Sequence, residues 1–248
     1  GSDQKAAGNT SATVATNLLT GTGAGNSGAT TVSGNQASTS ARANVANNVL
    51  ALDSTTASGG LVGVLSNVQA NMGQVNANTS MTIGVQGALD TGAVTVSGNV
   101  VDALGAGNAA LTSINATVGT AFNGNSADLL NTQTNNGAIT ATAALNAPAG
   151  QPMVSGGAST VNLLNNTVTA TAYGNNAVNQ INIVALPGQL VASTNLTSTQ
   201  INTGAVTATA GGNIGSGGVS TGNNISGNRI NAVAVGNNSV SSMTLGVK

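Results

Sequence analysis

Very few side chains of this sequence could transfer a proton near neutral pH. With no His, Cys or Glu, the candidates are Asp3, Asp53, Asp90, Asp102 and Asp128. Acid–base catalysis places such groups around one reacting bond, but no two of these aspartates share a short motif. A Ser–Lys pair would need Lys5 or Lys248, which lie at the two ends of the chain. The sequence therefore predicts a protein that is not an enzyme.

Metal and cofactor sites are equally hard to find. Transition metals prefer imidazole or thiolate ligands, which the chain lacks, and the GGxGxD repeat of calcium-binding β-rolls does not occur. Asp53, Asp90 and Asp102 are interpreted instead as turn or cap residues. The stretch GAGNSG (23–28) matches GxGxxG, but no strand-then-helix context surrounds it. We predict no metal and no cofactor.

The charge balance excludes two classes of partner. The chain has four Lys and Arg residues and a net charge of −1, which is too little positive charge to displace counterions from nucleic acid or to bind an anionic membrane surface. The longest apolar run, GGLVGVLSNV (59–68), is too short for a spanning helix. We expect no nucleic-acid binding and no transmembrane segment.

Sugar recognition by aromatic stacking would depend on only two residues. The aromatic side chains are Phe122 and Tyr173, which make a sparse platform for stacking. Phe122 is interpreted as a core or cap residue. Tyr173 is either structural or exposed and adhesive.

Two families of short repeats organise the chain. The first begins with an apolar residue followed by a Thr-Ala-Thr-Ala variant, at Val94, Ile139, Val168, Val206 and Ile230. The second is TVSGN, at 31–35 and 95–99, with ISGN at 225–228. The spacing is irregular, and steps of about 22–25 residues with insertions would fit one turn of a β-solenoid or a two-strand hairpin unit.

Alternation within one repeat predicts strands. In VTATA (206–210), Val206 and the two alanines share one face of a strand, while Thr207 and Thr209 share the other. The sequence thus predicts an all-β, repetitive, elongated β-solenoid resembling a parallel β-helix, or a related fold with strands exchanged between subunits. A weak helical spacing at 43–53 and 66–78 leaves short helices there as an alternative.

Glycine and asparagine are predicted to form the corners of the solenoid, because both tolerate positive φ and Asn amides can stack from turn to turn. The candidate corner pairs are Gly98-Asn99, Gly174-Asn175, Gly212-Asn213 and Gly236-Asn237. The three prolines, in NAPAGQP (146–152) and LPGQ (186–189), indicate loops or insertions.

Pairs of threonines are predicted to point outward. They are Thr140 and Thr142, Thr169 and Thr171, and Thr207 and Thr209. If their strands stack in register, the hydroxyl groups form rows like those of ice-binding β-solenoids. The sequence leaves a structural role and an ice-binding role open.

The strand repeats resemble those of a known class of surface protein. STQINTGAVTATAGGN (198–213), NTQTNNGAITATA (131–143) and VTATAYGNNAVNQ (168–180) are similar to bacterial holdfast anchor proteins, and NQIN (179–182) and STQIN (198–202) resemble curlin-type repeats. The resemblance implies an extracellular protein of the bacterial cell surface that anchors an adhesive polysaccharide or forms fibrils.

We therefore expect one repetitive β domain over residues 1–248, with the repeats clearest in 90–248. Open ends of a solenoid expose unpaired strand edges, and few charges or prolines block them, so the expected partners are further copies of the chain and other cell-surface or matrix components. Two rival functions are an ice-binding protein and a polysaccharide-binding module with a pocket near 146–153 or 184–190.

Overall fold

Strands make up nearly all of the described chain. The computed structural model describes residues 1–20, 28–53, 62–88, 92–119, 126–156, 160–185, 193–217 and 222–247. These residues form 17 strands, and no helix occurs among them. The strands pair in parallel and stack turn upon turn, so the predicted parallel β-solenoid is confirmed.

The chain passes four times through the same series of strands. The first turn consists of β1 (Ser2–Ala6), β2 (Thr10–Thr20), β3 (Thr30–Ser33) and β4 (Gln36–Asp53). The second turn consists of β5 (Val62–Asn71), β6 (Val75–Ala88), β7 (Ala93–Ser97) and β8 (Val100–Val118). The third turn consists of β9 (Ser126–Asn135), β10 (Ile139–Asn146), β11 (Val154–Gly156), β12 (Thr160–Leu164) and β13 (Thr167–Ala185). The fourth turn consists of β14 (Ser193–Asn202), β15 (Val206–Gly212), β16 (Gly222–Ser226) and β17 (Arg229–Val247).

Equivalent strands of successive turns form four parallel sheets, which we name A to D. Sheet A has the order β1-β5-β9-β14, and sheet B contains β2, β6, β10 and β15, with β11 beside the end of β6. Sheet C has the order β3-β7-β12-β16, and sheet D has the order β4-β8-β13-β17. Sheets A and B face sheet D across the interior. Paired parallel strands lie about 4.8 Å apart, which is the spacing of the turns.

One turn is much longer than the short repeats suggested. Stacked residues of successive turns are mostly 62, 64, 65 or 67 positions apart, so the interpretation of about 22–25 residues as one turn is wrong. The reason is that the Thr-Ala motif occurs in several sheets of the same turn. Val94 lies in sheet C, Ile139 and Val206 lie in sheet B, and Val168 and Ile230 lie in sheet D.

The TVSGN repeat, in contrast, reports the true period. Its copies at 31–35 and 95–99 stack directly in sheet C, where Val32 pairs with Val96. The Gly of each copy, Gly34 and Gly98, has a φ near +65°, a conformation that costs Gly little. These residues form the corner between sheets C and D.

Both segments with weak helical spacing are strands. Residues 43–53 belong to β4, and residues 66–78 span the end of β5 and the start of β6. The helical alternative is therefore wrong. Gly, Asn and Thr favour a helix poorly, and the parallel ladders of sheets A, B and D satisfy the backbone of these residues instead.

In each strand of sheet D, the alternation of inward and outward side chains shifts by one residue near the middle of the strand. In β13, Ala172 and Gly174 are buried, and the buried positions then continue with Asn175 and Ala177. A Cβ atom on Gly174 would lie 2.5 Å from the carbonyl oxygen of Gly236, so this position has no room for a side chain. The strand can therefore present apolar residues to sheet B with one half and a different set to sheet A with the other.

The core consists of two apolar clusters with a polar zone between them. One cluster lies among sheets B, C and the first half of sheet D, and includes Val75, Ile139 and Val168. The other lies between the first half of sheet A and the second half of sheet D, and includes Leu129 and Ile181. Between the clusters, the buried side chains are mainly amides and hydroxyls, with the small side chains of Ala46, Ala110 and Ala177 among them.

The proline-containing segment 146–152 interrupts sheet B in the third turn. β10 pairs with the first part of β6, and β11 pairs with its last part, so the residues between β10 and β11 form an insertion. The separation of stacked residues grows there from 64 to 67. The second proline segment, 186–189, lies outside the described residues.

Candidate functional site

Four columns of side-chain amides run parallel to the solenoid axis. The corner column contains Asn35, Asn99, Asn166 and Asn228; the mid-strand column contains Asn44, Asn108, Asn175 and Asn237; the glutamine column contains Gln4, Gln69, Gln133 and Gln200; and the short column contains Asn71, Asn135 and Asn202. Neighbours in a column are joined by N–O hydrogen bonds of 2.6–2.9 Å.

Each inner amide also bonds to backbone. The Nδ2 atom of Asn108 donates to the carbonyl oxygen of Thr134 at 2.8 Å and to Oδ1 of Asn175 at 2.7 Å. The Nε2 atom of Gln133 likewise donates to the carbonyl oxygen of Asn176. Because a carbonyl oxygen can only accept, these bonds determine which end of each amide carries the nitrogen.

The columns therefore have a direction. In the three asparagine columns, each Nδ2 donates to Oδ1 of the next turn, as Asn99 does to Asn166. In the glutamine column the donors point the opposite way, from Gln200 to Gln133 and from Gln133 to Gln69. The two ends of the solenoid thus carry different sets of free donors and acceptors.

Because the columns are buried, their hydrogen bonds depend strongly on the register between neighbouring strands. The inner members are fully buried, and a buried amide is tolerated only when its hydrogen bonds are made. A shift of one strand against its neighbour would separate the amides and leave several of them unpaired. The columns therefore penalise incorrect stacking much more than an apolar core of small residues would.

The candidate corner residues lie in three different settings. Gly98 and Asn99 lie at the corner between sheets C and D, with Asn99 in the corner column. The pairs Gly174-Asn175 and Gly236-Asn237 lie inside β13 and β17 instead of at corners, because the change of facing in sheet D occurs there. Asn175 and Asn237 belong to the mid-strand column.

The fourth pair ends a strand. Gly212 is the last residue of β15, and the backbone N–H of Asn213 donates to the carbonyl oxygen of Leu145 at 2.9 Å. Asn213 takes no part in the four columns. Its contribution is one backbone hydrogen bond to the preceding turn.

The threonine pairs are divided between two faces. On the outer face of sheet B, Thr140 pairs with Thr207 and Thr142 pairs with Thr209. The same rows continue with Asn76 and Asn78 in the second turn and with Ser11 and Thr13 in the first, so consecutive threonines cover only the third and fourth turns. Thr169 and Thr171 lie on the outer face of sheet D, across the solenoid from sheet B, beside Asp102 and Leu104.

The glutamine column and the short column were not predicted from the sequence. Their signal is the alignment of NVQANMG (67–73), NTQTNNG (131–137) and STQINTG (198–204), which recur at separations of 64 and 67. A search at short spacing does not find it. The third residue of each copy is the glutamine, and the fifth is an asparagine of the short column.

Different sheets project at the two ends of the solenoid, and the two ends are complementary in shape. Across the interior, β13 packs against β9 and β10 of its own turn and against β14 and β15 of the next. β17 packs against β14 and β15, and no further turn follows among the described residues. At the other end, β2 packs across the interior against β4. Sheet D thus projects at the fourth-turn end, and sheets A and B project at the first-turn end.

The fourth-turn end leaves core positions open to solvent. Ile230 is 49% exposed, although the stacked Val168 is 0% exposed. Leu245 is 64% exposed, compared with 3% for the stacked Ile183. Ile225 is also exposed, although it stacks on a fully buried Leu163. An apolar surface of this kind on a regular edge is typical of an interaction site.

A shallow groove crosses the outer face of sheet D. It has a volume of about 550 Å³, and its lining includes Arg42, Asp102, Thr171 and Tyr173. Arg42 and Tyr173 are on either side of the buried Ala106 in adjacent strands. The groove brings a cation, a carboxylate, hydroxyl groups and an aromatic ring to one surface.

Other sequence candidates either lie apart or lie outside the described residues. Asp3 and Asp128 are on sheet A, and Asp53 is at the end of β4. The part of the chain that the structure describes contains no cluster of His, Cys, Asp or Glu that could hold a metal ion. It also contains no helix long and apolar enough to span a membrane. The candidates outside the described residues are Asp90, Phe122, Lys248 and most of the segment 23–28.

No protein-family model matches the chain, and no curated protein or solved structure shows significant similarity to it.

Proposed function

We propose that this protein is a secreted structural protein of the bacterial cell surface, which self-associates or anchors an extracellular adhesive through its open solenoid ends. The observation that carries the proposal is the fourth-turn end, where Ile230, Leu245 and Ile225 are exposed at positions that are buried in the third turn. The cell-surface location is supported by the resemblance of the strand repeats to those of holdfast anchor proteins.

The edge strands carry few of the features that usually prevent strand pairing. Soluble β proteins place lysines, prolines or inward-pointing charges on exposed edge strands. β14, β15 and β16 contain no charged residue and no proline, and Arg229 is the single charged residue in β17. Unpaired backbone groups next to apolar side chains make this end ready to pair with another strand.

Sedimentation velocity and electron microscopy of the purified chain test the proposal. We expect the sedimentation coefficient to rise with concentration and elongated particles to form. The variant Leu245→Lys should stay monomeric, because a lysine then occupies an apolar position of the edge. Val240→Lys is the matched control, since Val240 is on the same strand and similarly exposed but faces outward. A wild-type chain that remains a monomer at all concentrations would exclude self-association.

A second candidate function is binding of an extracellular polysaccharide, and the groove on sheet D favours it. Tyr173 could stack on a sugar ring, while Arg42 and Asp102 could bond to its hydroxyl groups. A pocket was expected near 146–153 or 184–190, and neither segment lines this groove. Titration with neutral and acidic polysaccharides tests it, with Tyr173→Ala expected to weaken binding and Thr140→Ala on sheet B as the control. Equal binding by both variants would exclude the groove.

A further inference from the structure

We infer that the fourth-turn end binds the first-turn end of a second copy of this chain, head to tail and in register, so that β17 pairs with β4 of the next molecule. The inference rests on the proposed function, since it names the partner of the open end. It adds a polarity and a residue-by-residue register that self-association alone does not require.

The shapes of the two ends fit each other. Sheet D projects at the fourth-turn end, and sheets A and B project at the first-turn end. In the second copy, β1 and β2 would pair with β14 and β15 and would also cover the inner face of β17. Within the molecule, β14 and β15 cover β13 in the same way. The junction would therefore reproduce the step between the third and fourth turns.

The asparagine columns have matching ends. Nδ2 of Asn237 donates to the carbonyl oxygen of Gln200, and its second hydrogen has no acceptor among the described residues. Oδ1 of Asn44, at the other end of this column, accepts no hydrogen bond within the described part of the chain. Asn228 and Asn35 have the same relation in the corner column. Head-to-tail stacking brings each free donor to a free acceptor.

The glutamine column matches in the opposite sense. At the fourth-turn end Gln200 has a free Oε1 atom, and at the first-turn end Gln4 has a second Nε2 hydrogen without a partner among the described residues. If each column met its own copy, stacking two fourth-turn ends together would place acceptor against acceptor in the glutamine column and donor against donor in the corner and mid-strand columns. The opposite directions of the columns thus favour head-to-tail stacking over both symmetric arrangements.

The short column does not continue into the first turn. Its next member in the first turn would be position 6, which is an alanine, and Oδ1 of Asn71 is buried without a partner. Asn202 of one copy would meet Ala6 of the next. This column is therefore interrupted at the junction, while the other three continue through it.

The charges at the junction do not oppose this register. The same column positions place Asp3 beside Thr199, Lys5 beside Ile201, Arg42 beside Val235, Asp53 beside Gly246 and Arg229 beside Gln36. Each charged residue of the two edges meets an uncharged residue of the other copy. Like charges directly opposite each other would destabilise the pairing.

Two variants with one blocked end each test the polarity. Ile230→Lys blocks the fourth-turn end, and Thr16→Lys blocks the first-turn end at a half-exposed inward position of β2. In the fourth turn, Ile230 lies against Gly212. Gly212 and Thr16 occupy equivalent positions of sheet B in the fourth and first turns, so Thr16 of the second copy would stack on Gly212. The two lysines would therefore meet at the same contact. Far-UV circular dichroism checks that both variants are folded.

Neither variant alone should assemble. An equimolar mixture should form heterodimers and no larger species, because Thr16→Lys keeps an intact fourth-turn end and Ile230→Lys keeps an intact first-turn end. Homodimers of either single variant, or a mixture that stays monomeric while the wild-type chain assembles, would overturn the head-to-tail arrangement but leave self-association intact. A wild-type chain that never assembles would overturn both.

Cysteine cross-linking tests the register, and the chain contains no native cysteine. We expect the double variant Arg42→Cys and Val235→Cys to form an intermolecular disulfide ladder on oxidation. Directly paired residues of parallel strands lie about 4.8 Å apart, which is within disulfide range. Within one molecule these positions are three turns apart. The control pair Ser40→Cys and Val235→Cys is displaced by two residues, about 8 Å, and should not cross-link. Preferential cross-linking of the control would overturn the register.

Discussion

Replacing Asn108 by alanine should destabilise the solenoid far more than the same change at Asn237, although both residues belong to the mid-strand column. Asn108 accepts from Asn44 at 2.8 Å and donates to Thr134 and Asn175 at 2.8 and 2.7 Å. Asn237 accepts one bond from Asn175 at 2.7 Å and donates one bond of 3.2 Å at the open end. Burial, more than the number of bonds, separates the two positions.

The magnitude follows from the groups that lose their partner. Asn108→Ala leaves Oδ1 of Asn175 without a donor inside the solenoid, and the carbonyl oxygen of Thr134 loses a bond as well. An orphaned buried polar group costs about 1–3 kcal/mol, so we expect a loss of about 3–5 kcal/mol in the free energy of unfolding. At Asn237 water can replace the lost bonds, and the expected loss is about 1 kcal/mol.

Equilibrium unfolding in urea, followed by far-UV circular dichroism, measures both losses. The measurements belong in the Ile230→Lys background, so that assembly does not contribute to the apparent stability. The wild-type residue at each position is the reference. Equal losses at Asn108 and Asn237, or a loss below about 1 kcal/mol at Asn108, would refute the view that the buried amide columns hold the turns in register.

Three further predictions concern other features of the solenoid. Gly137→Ala should prevent folding or destabilise the chain by several kcal/mol, because its Cβ would overlap the carbonyl oxygen of Gly73. The control Gly211→Ala has open space around the new Cβ and should change the urea midpoint little. Equal effects of the two substitutions would contradict the close approach of the second and third turns at Gly73 and Gly137. Assembly should depend little on salt between about 0.05 and 1 M NaCl, since no charge pairs form at the junction, and a steep fall in sedimentation coefficient would show that charges contribute. The purified chain should show no thermal hysteresis, because Asn76 and Asn78 interrupt the threonine rows on sheet B and leave consecutive threonines in only two turns; a measurable freezing-point gap would restore the ice-binding alternative.

Much of the local structure could be predicted from the sequence. The alternation in VTATA (206–210) predicts a strand, and β15 begins at Val206. The fold class followed from many such segments, because side-chain alternation depends only on neighbouring residues in the chain. The shortage of titratable side chains likewise follows from composition alone and needs no coordinates.

The length of a turn could not be predicted from the same segments. Stacked residues are 62–67 positions apart, and the separation changes where the insertion between β10 and β11 lengthens the third turn. Similar motifs in sheets B, C and D made a shorter period look plausible. Which copies of a motif stack on each other depends on the length of the chain between them. The short motifs themselves do not encode that length.

The residue types of this chain determine that it forms strands, that alternate side chains face inward, and that little acid–base or metal chemistry is available. The amide columns and the steps at the two ends depend on pairing across a whole turn. Asn44, Asn108, Asn175 and Asn237 meet only because each lies one whole turn of the solenoid after the one before it. Their direction, and with it the polarity of the ends, arises from backbone carbonyls of sheet A that accept the second hydrogen of the inner amides. A contact between residues so distant in sequence exists only after the chain has closed each turn.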